Sequence, residues 1–242
     1  MEPYFRPVAD LHTHTLASPH AYSTLTENAT AAAALGMVAV ACTDHGPKVG
    51  DGMHIWHFTN MKILPDRIAG LRHLRGVEAN VCDFKGTLDL PDRMLQSMEM
   101  VIASMHDGTM PHGTPEQITE AWLEIAKNPE VDIIGHCGTP IFAFDYEAVI
   151  PVFGRHGKVV EINEGSFRIR KQSLENCARI AALCKQHGVR VTVNSDAHYH
   201  EQVGKTDNAV ALLMEVGFPL ELVINSSRER LEEFLKEKQL TL

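Results

Sequence analysis

Val8-Ala-Asp-Leu-His-Thr-His14 is a short run of small and apolar residues that ends in two histidines one residue apart. A strand is expected over Val8–Leu11, and the residues just after it decide between two architectures. Six more apolar runs recur downstream, at Met37–Thr43, Leu74–Val81, Met100–Met105, Val131–Gly135, Lys158–Ile162 and Arg190–Ser195. Many are bounded by glycine and nearly continuous in apolar content, as strands covered on both faces are. Amphipathic stretches with helix-start signals lie between them. Thr24-x-x-Glu27 reads as a capping box, and Thr114-Pro-Glu-Gln117 as an N-cap with proline at N1 and a capping glutamine. Ser226-x-x-Glu229 is expected to open a last helix that buries Leu231, Phe234 and Leu235. Alternating strands and helices of this length make parallel β/α units. An open doubly wound sheet would carry a glycine-rich phosphate turn after its first strand. His12-Thr-His14 stands there instead, so the expectation is a closed barrel of seven strands, with residues 1–242 as a single domain.

The chain of 242 residues carries 31 acidic and 22 basic side chains, a net charge of −9, which argues against a general nucleic-acid surface. Its apolar and charged fractions are those of a globular protein and exclude disordered and fibrous classes. The longest weakly polar run, Ala29–Cys42, is interrupted by Gly36 and is too short to span a bilayer. The first ten residues show no signal peptide. The five cysteines are odd in number and form no CxxC pair, so neither a disulfide framework nor a zinc ribbon is expected, and a cytoplasmic location is. The outlier is histidine, with 14 copies.

The histidines are placed, not scattered. The first strand ends in Asp10-Leu-His12-Thr-His14, followed by His20; the second in Thr43-Asp44-His45. The third carries Glu78, the fourth ends in Ser104-Met-His106, the fifth in Gly135-His136-Cys137, the seventh in Asn194-Ser-Asp196-Ala-His198. In a parallel barrel these ends converge on one face. Residues two apart on a strand point the same way, so His12 and His14 can hold one ion, and so can Asp196 with a partner near His198. One histidine at a strand end is more often a satisfied polar residue than a ligand. A ligand-type side chain after nearly every strand is a different observation. Seven histidines and two carboxylates exceed what one tetrahedral zinc takes, and suit two or three ions with Glu78 as a bridge.

Asp-Leu-His-Thr-His, Thr-Asp-His, Gly-Val-Glu, Ser-Met-His, Gly-His and Ser-Asp-Ala-His resemble, in order and spacing, the motifs of the PHP (polymerase and histidinol phosphatase) family. Ser18-Pro-His-Ala-Tyr-Ser23 and Trp56-His-Phe58 are similar to its stand-alone bacterial phosphatase branch of YcdX type. That resemblance implies a distorted (β/α)7 TIM-like barrel, three divalent ions per chain with zinc expected first and manganese or iron as alternatives, and a homo-oligomer, a trimer in some members. It implies three ligand sets: His12, His14, Glu78 and Asp196; Glu78, His106 and His136; His20, His45 and His198. Glu78, Asp196 and His198 are the expected catalytic residues. Cys137 departs from the pattern, standing where proline often follows the motif histidine. It is read as a small buried residue, with an extra soft ligand as the alternative.

Such a pocket stays cationic inside an acidic protein and favours a phosphate dianion. A divalent ion brings the pKa of bound water to about 7, which supplies hydroxide at neutral pH. The expected reaction is hydrolysis of a small phosphomonoester, with no serine or cysteine nucleophile and no GxSxG elbow. A histidinol-phosphate-type phosphatase is one alternative. A phosphodiesterase or nuclease is another, disfavoured by the net charge. An amidohydrolase would often need a bridging lysine at a strand end, and Lys158 lies at a strand start. A metal-storage protein fits the mixed histidine and carboxylate donors less well. Asp10 and Asp44 orient ligands or cap turns. Arg168, Arg170 and Lys171 are expected to clamp phosphate or to face solvent, and Asn163 and Glu164, at a strand end, to contact substrate or support a ligand, or to do neither. The 46–58 loop, with His54, Trp56 and His57, is a lid candidate or a packing element. His73, His112, His156, His187 and His200 are expected in ordinary core or surface roles.

Overall fold

The computed structural model describes residues 5–50 and 53–242. Its strands are β1 (Ala9–Asp10), β2 (Ala39–Cys42), β3 (Arg67–Ile68), β4 (Leu71–Asn80), β5 (Met100–Ser104), β6 (Ile133–Ile134), β7 (Val159–Asn163) and β8 (Val191–Asn194). The helices are α1 (Leu25–Ala34), α2 (Trp56–Asn60), α3 (Asp92–Leu95), α4 (Pro115–Lys127), α5 (Tyr146–Arg155), α6 (Gly165–Arg168), α7 (Leu174–His187), α8 (Asp207–Glu215) and α9 (Arg228–Glu237). All seven expected strands form. They pair in parallel in the order β1-β2-β4-β5-β6-β7-β8. The eighth, β3, was not expected: two residues with no apolar run, laid antiparallel along the start of β4.

Both internal capping boxes form. Thr24 Oγ1 accepts from Glu27 N while Glu27 Oε2 accepts from Thr24 N, and Thr114 and Gln117 repeat the exchange at α4. The last helix starts one residue later than expected. Ser227, not Ser226, is the N-cap and accepts from Arg230 N, whereas Ser226 Oγ donates to the carbonyls of Leu220 and Val223.

β1 and β8 stand at the two ends of the strand path. Substitutes for a ladder close the seam between them. Thr13 and Ala197 form a parallel bridge, and Leu11 N donates to Asn194 Oδ1 at 3.0 Å. Asn225 Nδ2 donates to Ala9 O at 3.0 Å and to Val193 O at 2.7 Å, and its Oδ1 accepts from Val193 N at 3.1 Å. A fully buried amide thus satisfies backbone groups on both edges, which would otherwise be orphaned.

The barrel interior is layered. Leu74, Ile102, Ile133 and Val159, near the strand starts, form an apolar cluster into which α9 packs Leu231, Phe234 and Leu235. Side chains recur on one face every second residue, and further along the same parity the faces turn polar: Glu78 from Leu74, Ser104 and His106 from Ile102, Glu161 from Val159. Gly135 shares the parity of Ile133. A Cβ there would lie 2.1 Å from Ser104 Oγ, so only glycine lets the end of β6 approach β5. His136 comes immediately after it.

Candidate metal centre

All nine side chains expected as ligands gather where these polar faces end, and Glu78 is their hub. It is fully buried. Its Oε2 lies 3.4 Å from His12 Nε2, 3.5 Å from His14 Nε2 and 2.7 Å from His45 Nδ1. Its Oε1 lies 2.9 Å from His136 Nε2 and 3.3 Å from His106 Nε2. Asp196 Oδ1 joins the first group, 3.1 Å from His14 Nε2 and 3.5 Å from His12 Nε2, and those two nitrogens are 3.1 Å apart. At the rim, His20 Nε2 and His198 Nε2 are 2.9 Å apart, and the His45 ring centre is 5.0 Å from that of His20.

These spacings fit metal ions. Donors bound tetrahedrally to zinc at 2.0–2.1 Å are separated by about 3.3–3.4 Å, and the contacts among His12, His14, Glu78 and Asp196 run from 3.1 to 3.5 Å. Glu78 Oε2 and both ring nitrogens of His45 are buried without a protein hydrogen bond. Buried polar atoms are rarely left so, and a cation answers all three. Three overlapping donor groups are His12, His14 and Asp196; His45, Glu78 and His106; His14, His45 and His198. His14 and His45 therefore each face two groups, a sharing that the spacing of the motifs does not announce.

The outer edges of the rings are held. His12 Nδ1 donates to Glu161 Oε1 at 2.7 Å, His106 Nδ1 to Asn80 Oδ1 at 2.7 Å and His198 Nδ1 to Asp196 O at 2.9 Å. His14 Nδ1 donates to Ser18 Oγ at 3.2 Å, and that hydroxyl donates on to Asp44 Oδ1 at 2.8 Å. A proton fixed on Nδ1 leaves the Nε2 lone pair for the cluster. Two of the candidate ligands, His136 at φ 24° and Asp196 at φ 55°, have left-handed backbones that side chains with a Cβ adopt only under constraint.

Charge is divided to match. Burial works against ionisation of Glu78, yet His106, His12 and His45 hold it well below the usual carboxylate range. Burial likewise opposes the charge on Asp196, and His12, His14 and Arg170 outweigh it. Burial pushes His14 down to about 3 and His136 down to about 4, so both present neutral rings. His12 and His45 shift the other way: burial is outweighed at His12 by Glu161, Glu78 and Asp196, which raise it well above its ordinary value, and at His45 by Glu78 and Asp196, which also raise it.

A PHP domain profile matches residues 10–195, a span that carries every motif but the last, whose Asp196 and His198 lie just beyond it. The chain belongs to the PHP family. It is 45% identical to a probable phosphatase of Caldanaerobacter subterraneus subsp. tengcongensis, over 97% of this chain and 93% of that one. It is 44% identical to a probable phosphatase of Acetivibrio thermocellus, over 96% of each. Its fold matches that of histidinol phosphate phosphatase from Lactococcus lactis, solved with zinc, L-histidinol and phosphate. There the TM-score is 0.63 at 16% identity, over 87% of this chain and 94% of that one.

Some residues around the PHP centre have roles that the sequence does not announce. Glu161 is one, although its parity with Val159 marks it as inward-facing and a lone carboxylate in Val159–Asn163 is anomalous. Asn80, behind His106, is another. Glu164 caps α8 instead of facing substrate, accepting from Ala209 N at 2.9 Å and Asn208 Nδ2 at 2.6 Å. Asn163 Nδ2 donates to Glu161 and to Asp196 Oδ2. Asp44 reaches His14 through Ser18, whereas Asp10 accepts from Ser195 and the amides of His12 and Gly204. Arg168 and Arg170 line a cleft of about 480 Å³ over His20, His45, His106 and His198. The side chain of Lys171 lies outside the described part. Cys137 is buried and stands in none of the three donor groups.

Of the 46–58 loop, Asp51 and Gly52 lie outside the described residues. Trp56 is exposed beside a separate cavity, and His57 Nε2 is 3.4 Å from Asp44 Oδ2. His112, His156 and His187 are exposed, His200 is half-buried against Ser23, and His73 is buried in β4. No described helix is long and apolar enough to cross a membrane.

Proposed function

We propose that this PHP chain is a phosphatase that hydrolyses small phosphomonoesters and that its centre holds three divalent ions, with zinc as the preferred metal and manganese or iron able to replace it. The surroundings of Glu78 carry the reading. One buried carboxylate faces His12, His14 and His45 with one oxygen and His106 and His136 with the other, and the first oxygen, although 2.7 Å from His45 Nδ1, has no well-aligned hydrogen bond. A carboxylate so placed is a bridge between cations.

In this reading His12, His14, Glu78 and Asp196 hold the first ion, Glu78, His106 and His136 the second, and His20, His45 and His198 the third. Bound divalent ions supply hydroxide at neutral pH and positive charge for phosphate oxygens. The chain's own part is to fix donors and admit substrate. Glu78 and Asp196 keep the donor groups together, and His198 joins the rim to the centre. The cleft's volume of about 480 Å³ suits a small molecule rather than a polymer. Relatives called probable phosphatases support the reaction class.

The test joins two measurements. Elemental analysis of protein purified without chelator should approach three ions per chain. Turnover of a monoester should exceed that of a diester with the same leaving group, and inorganic phosphate should inhibit. One ion or fewer in a folded sample, or a preference for the diester, would overturn the reading.

A further inference from the structure

The two oxygens of Asp196 face different neighbours. Oδ1 points at the imidazoles, 3.1 Å from His14 Nε2. Oδ2 accepts from Arg170 Nη2 at 3.0 Å and from Asn163 Nδ2 at 3.3 Å. The same Nη2 reaches Asn163 Oδ1 at 3.4 Å, closing a triangle of three side chains. The Asp196 backbone is left-handed, at φ 55°, so an ordinary strand conformation does not aim its carboxylate. Side-chain partners must do so. Arg170 is mostly enclosed, with 22% of its side chain exposed, and its Nε is buried without a partner. A guanidinium serving only as a surface charge would turn outward and give Nε to water.

We propose that Arg170 is a positioning residue for metal binding: it occupies Asp196 Oδ2 so that Oδ1 alone faces His12 and His14. The proposal rests on the metal-centre reading above. The charge of Arg170 by itself repels a cation, so its benefit comes from orientation. Asn163 completes the device by donating to the same oxygen and accepting from the same guanidinium nitrogen. The competing role for an arginine in this cleft wall is to grip substrate phosphate directly. The two roles move different quantities. Positioning sets metal affinity and kcat; a phosphate grip sets KM.

The experiment compares wild type, Arg170→Met and Arg170→Lys by competition for zinc against a chromophoric chelator, and by kcat and KM for a monoester at saturating zinc. Losing a residue that orients a ligand typically costs about 10–100-fold in metal affinity. Arg170→Met should lose about that much for the tightest-held ion, while KM changes by less than about threefold. Lysine can reach Oδ2 but cannot also reach Asn163 Oδ1, so Arg170→Lys should fall between the two. Wild-type zinc affinity in Arg170→Met, with KM raised, would overturn the proposal in favour of a phosphate grip. If the methionine variant fails to fold, as judged by circular dichroism, the lysine variant decides: weakened zinc binding supports the proposal and unchanged binding overturns it. A wild type that binds no zinc would instead overturn the metal-centre reading, so the two failures are separable.

Discussion

His12 Nδ1 donates to Glu161 Oε1 at 2.7 Å, and both side chains are sealed from solvent. Glu161 reaches further than one ring. Its Oε2 accepts from His136 N at 3.0 Å and from Asn163 Nδ2 at 2.9 Å, and its Oε1 also accepts from Asn194 Nδ2 at 2.9 Å. One carboxylate therefore sets the tautomer of a histidine that belongs to the first proposed ion and the backbone of a histidine that belongs to the second. Its charge is sustained because burial, which opposes ionisation, is outweighed by His12 and His136.

Glu161→Gln keeps the volume but loses the charge that polarises His12. Zinc affinity should fall by about 10–100-fold, the usual effect of losing a carboxylate behind a ligating histidine. Glu161→Ala also leaves the amide of Asn194 without its acceptor and Asn163 with Asp196 alone, and should fall further. Competition with a chelator reads the change. Equal zinc affinity in wild type and Glu161→Gln would show that the pair serves folding alone.

Glu78→Gln probes the hub itself. The amide is similar in size, yet it cannot neutralise two cations at once. At least one ion should be lost and the rate should drop by orders of magnitude, while circular dichroism stays native. Full metal content together with a wild-type rate in that variant would remove Glu78 as a bridge.

Much of the site is legible in the chain because a parallel barrel converts strand order into spatial convergence. Most of the candidate ligands sit where an apolar run stops, with Glu78 two residues inside the end of β4 and His20 in the loop after β1, so the strand ends, taken in order, are already a set of neighbours. The parts that are not legible have physical reasons. β3 is two residues held by its partner β4, and Arg67–Ile68 has no pattern of its own. Glu161 lies inside a strand rather than at its end, and its role depends on facing His12 across the barrel, 149 positions away in sequence. Glu164 looks equally chemical, but the start of α8 happens to dock against it, and no local signal announces a cap supplied from so far away. The sharing of His14 and His45 between donor groups depends on which strand ends meet in space, which spacing along one strand does not encode.

Asn225 gives a stability prediction independent of metal. Asn225→Ala removes three hydrogen bonds and leaves buried groups of Ala9 and Val193 unpaired at the barrel seam. Each unsatisfied buried group costs about 1–3 kcal/mol, so a loss of roughly 3 kcal/mol or more is expected. At about 2–4 °C per kcal/mol for a chain of this size, the melting midpoint should fall by about 6 °C or more. Calorimetry at matched metal content measures it, and a shift within about 1 °C would mean that water or a backbone ladder takes over the seam.

His73 predicts a pH dependence away from the centre. Burial lowers its pKa, against the Pro65 carbonyl and Glu99, with Arg75 and Arg72 adding to the lowering. The unfolded chain then takes up a proton near pH 6.5 that the native state refuses until lower pH. The contribution of the neutral buried ring is complete above about 6.5 and is lost as pH falls through the folded-state value. His73→Leu should remove this slope. Urea midpoints of wild type and variant, compared between pH 7.5 and pH 5, should show wild type losing more stability on acidification. Parallel losses would assign the acid limb elsewhere.

The last prediction concerns which phosphoester the centre serves. His20 sits at the rim, with Nε2 2.9 Å from His198 Nε2, and burial together with His198 and His45 pushes its pKa down to about 4. It therefore offers a neutral ring at physiological pH. His198 donates its Nδ1 proton to Asp196 O, so its Nε2 lone pair also faces the gap. Two ring nitrogens at that distance either share one proton in an N–H···N hydrogen bond or turn both lone pairs to one cation, and the second arrangement is the one the proposed third ion uses. A monoester dianion carries one more negative charge than a diester and gains more from that cation. Removing one charge-stabilising contact costs about 3–4 kcal/mol, or roughly 10²–10³ in rate. His20→Ala should therefore lower kcat/KM for a monoester by about that factor, and lower it less for a diester with the same leaving group, so that the selectivity ratio shrinks. Elemental analysis serves as the control, because the ions held by His12, His14, Glu78, His106, His136 and Asp196 should remain. With those ions retained, an unchanged ratio would separate the rim histidines from phosphate recognition and leave the deeper donor groups to carry selectivity.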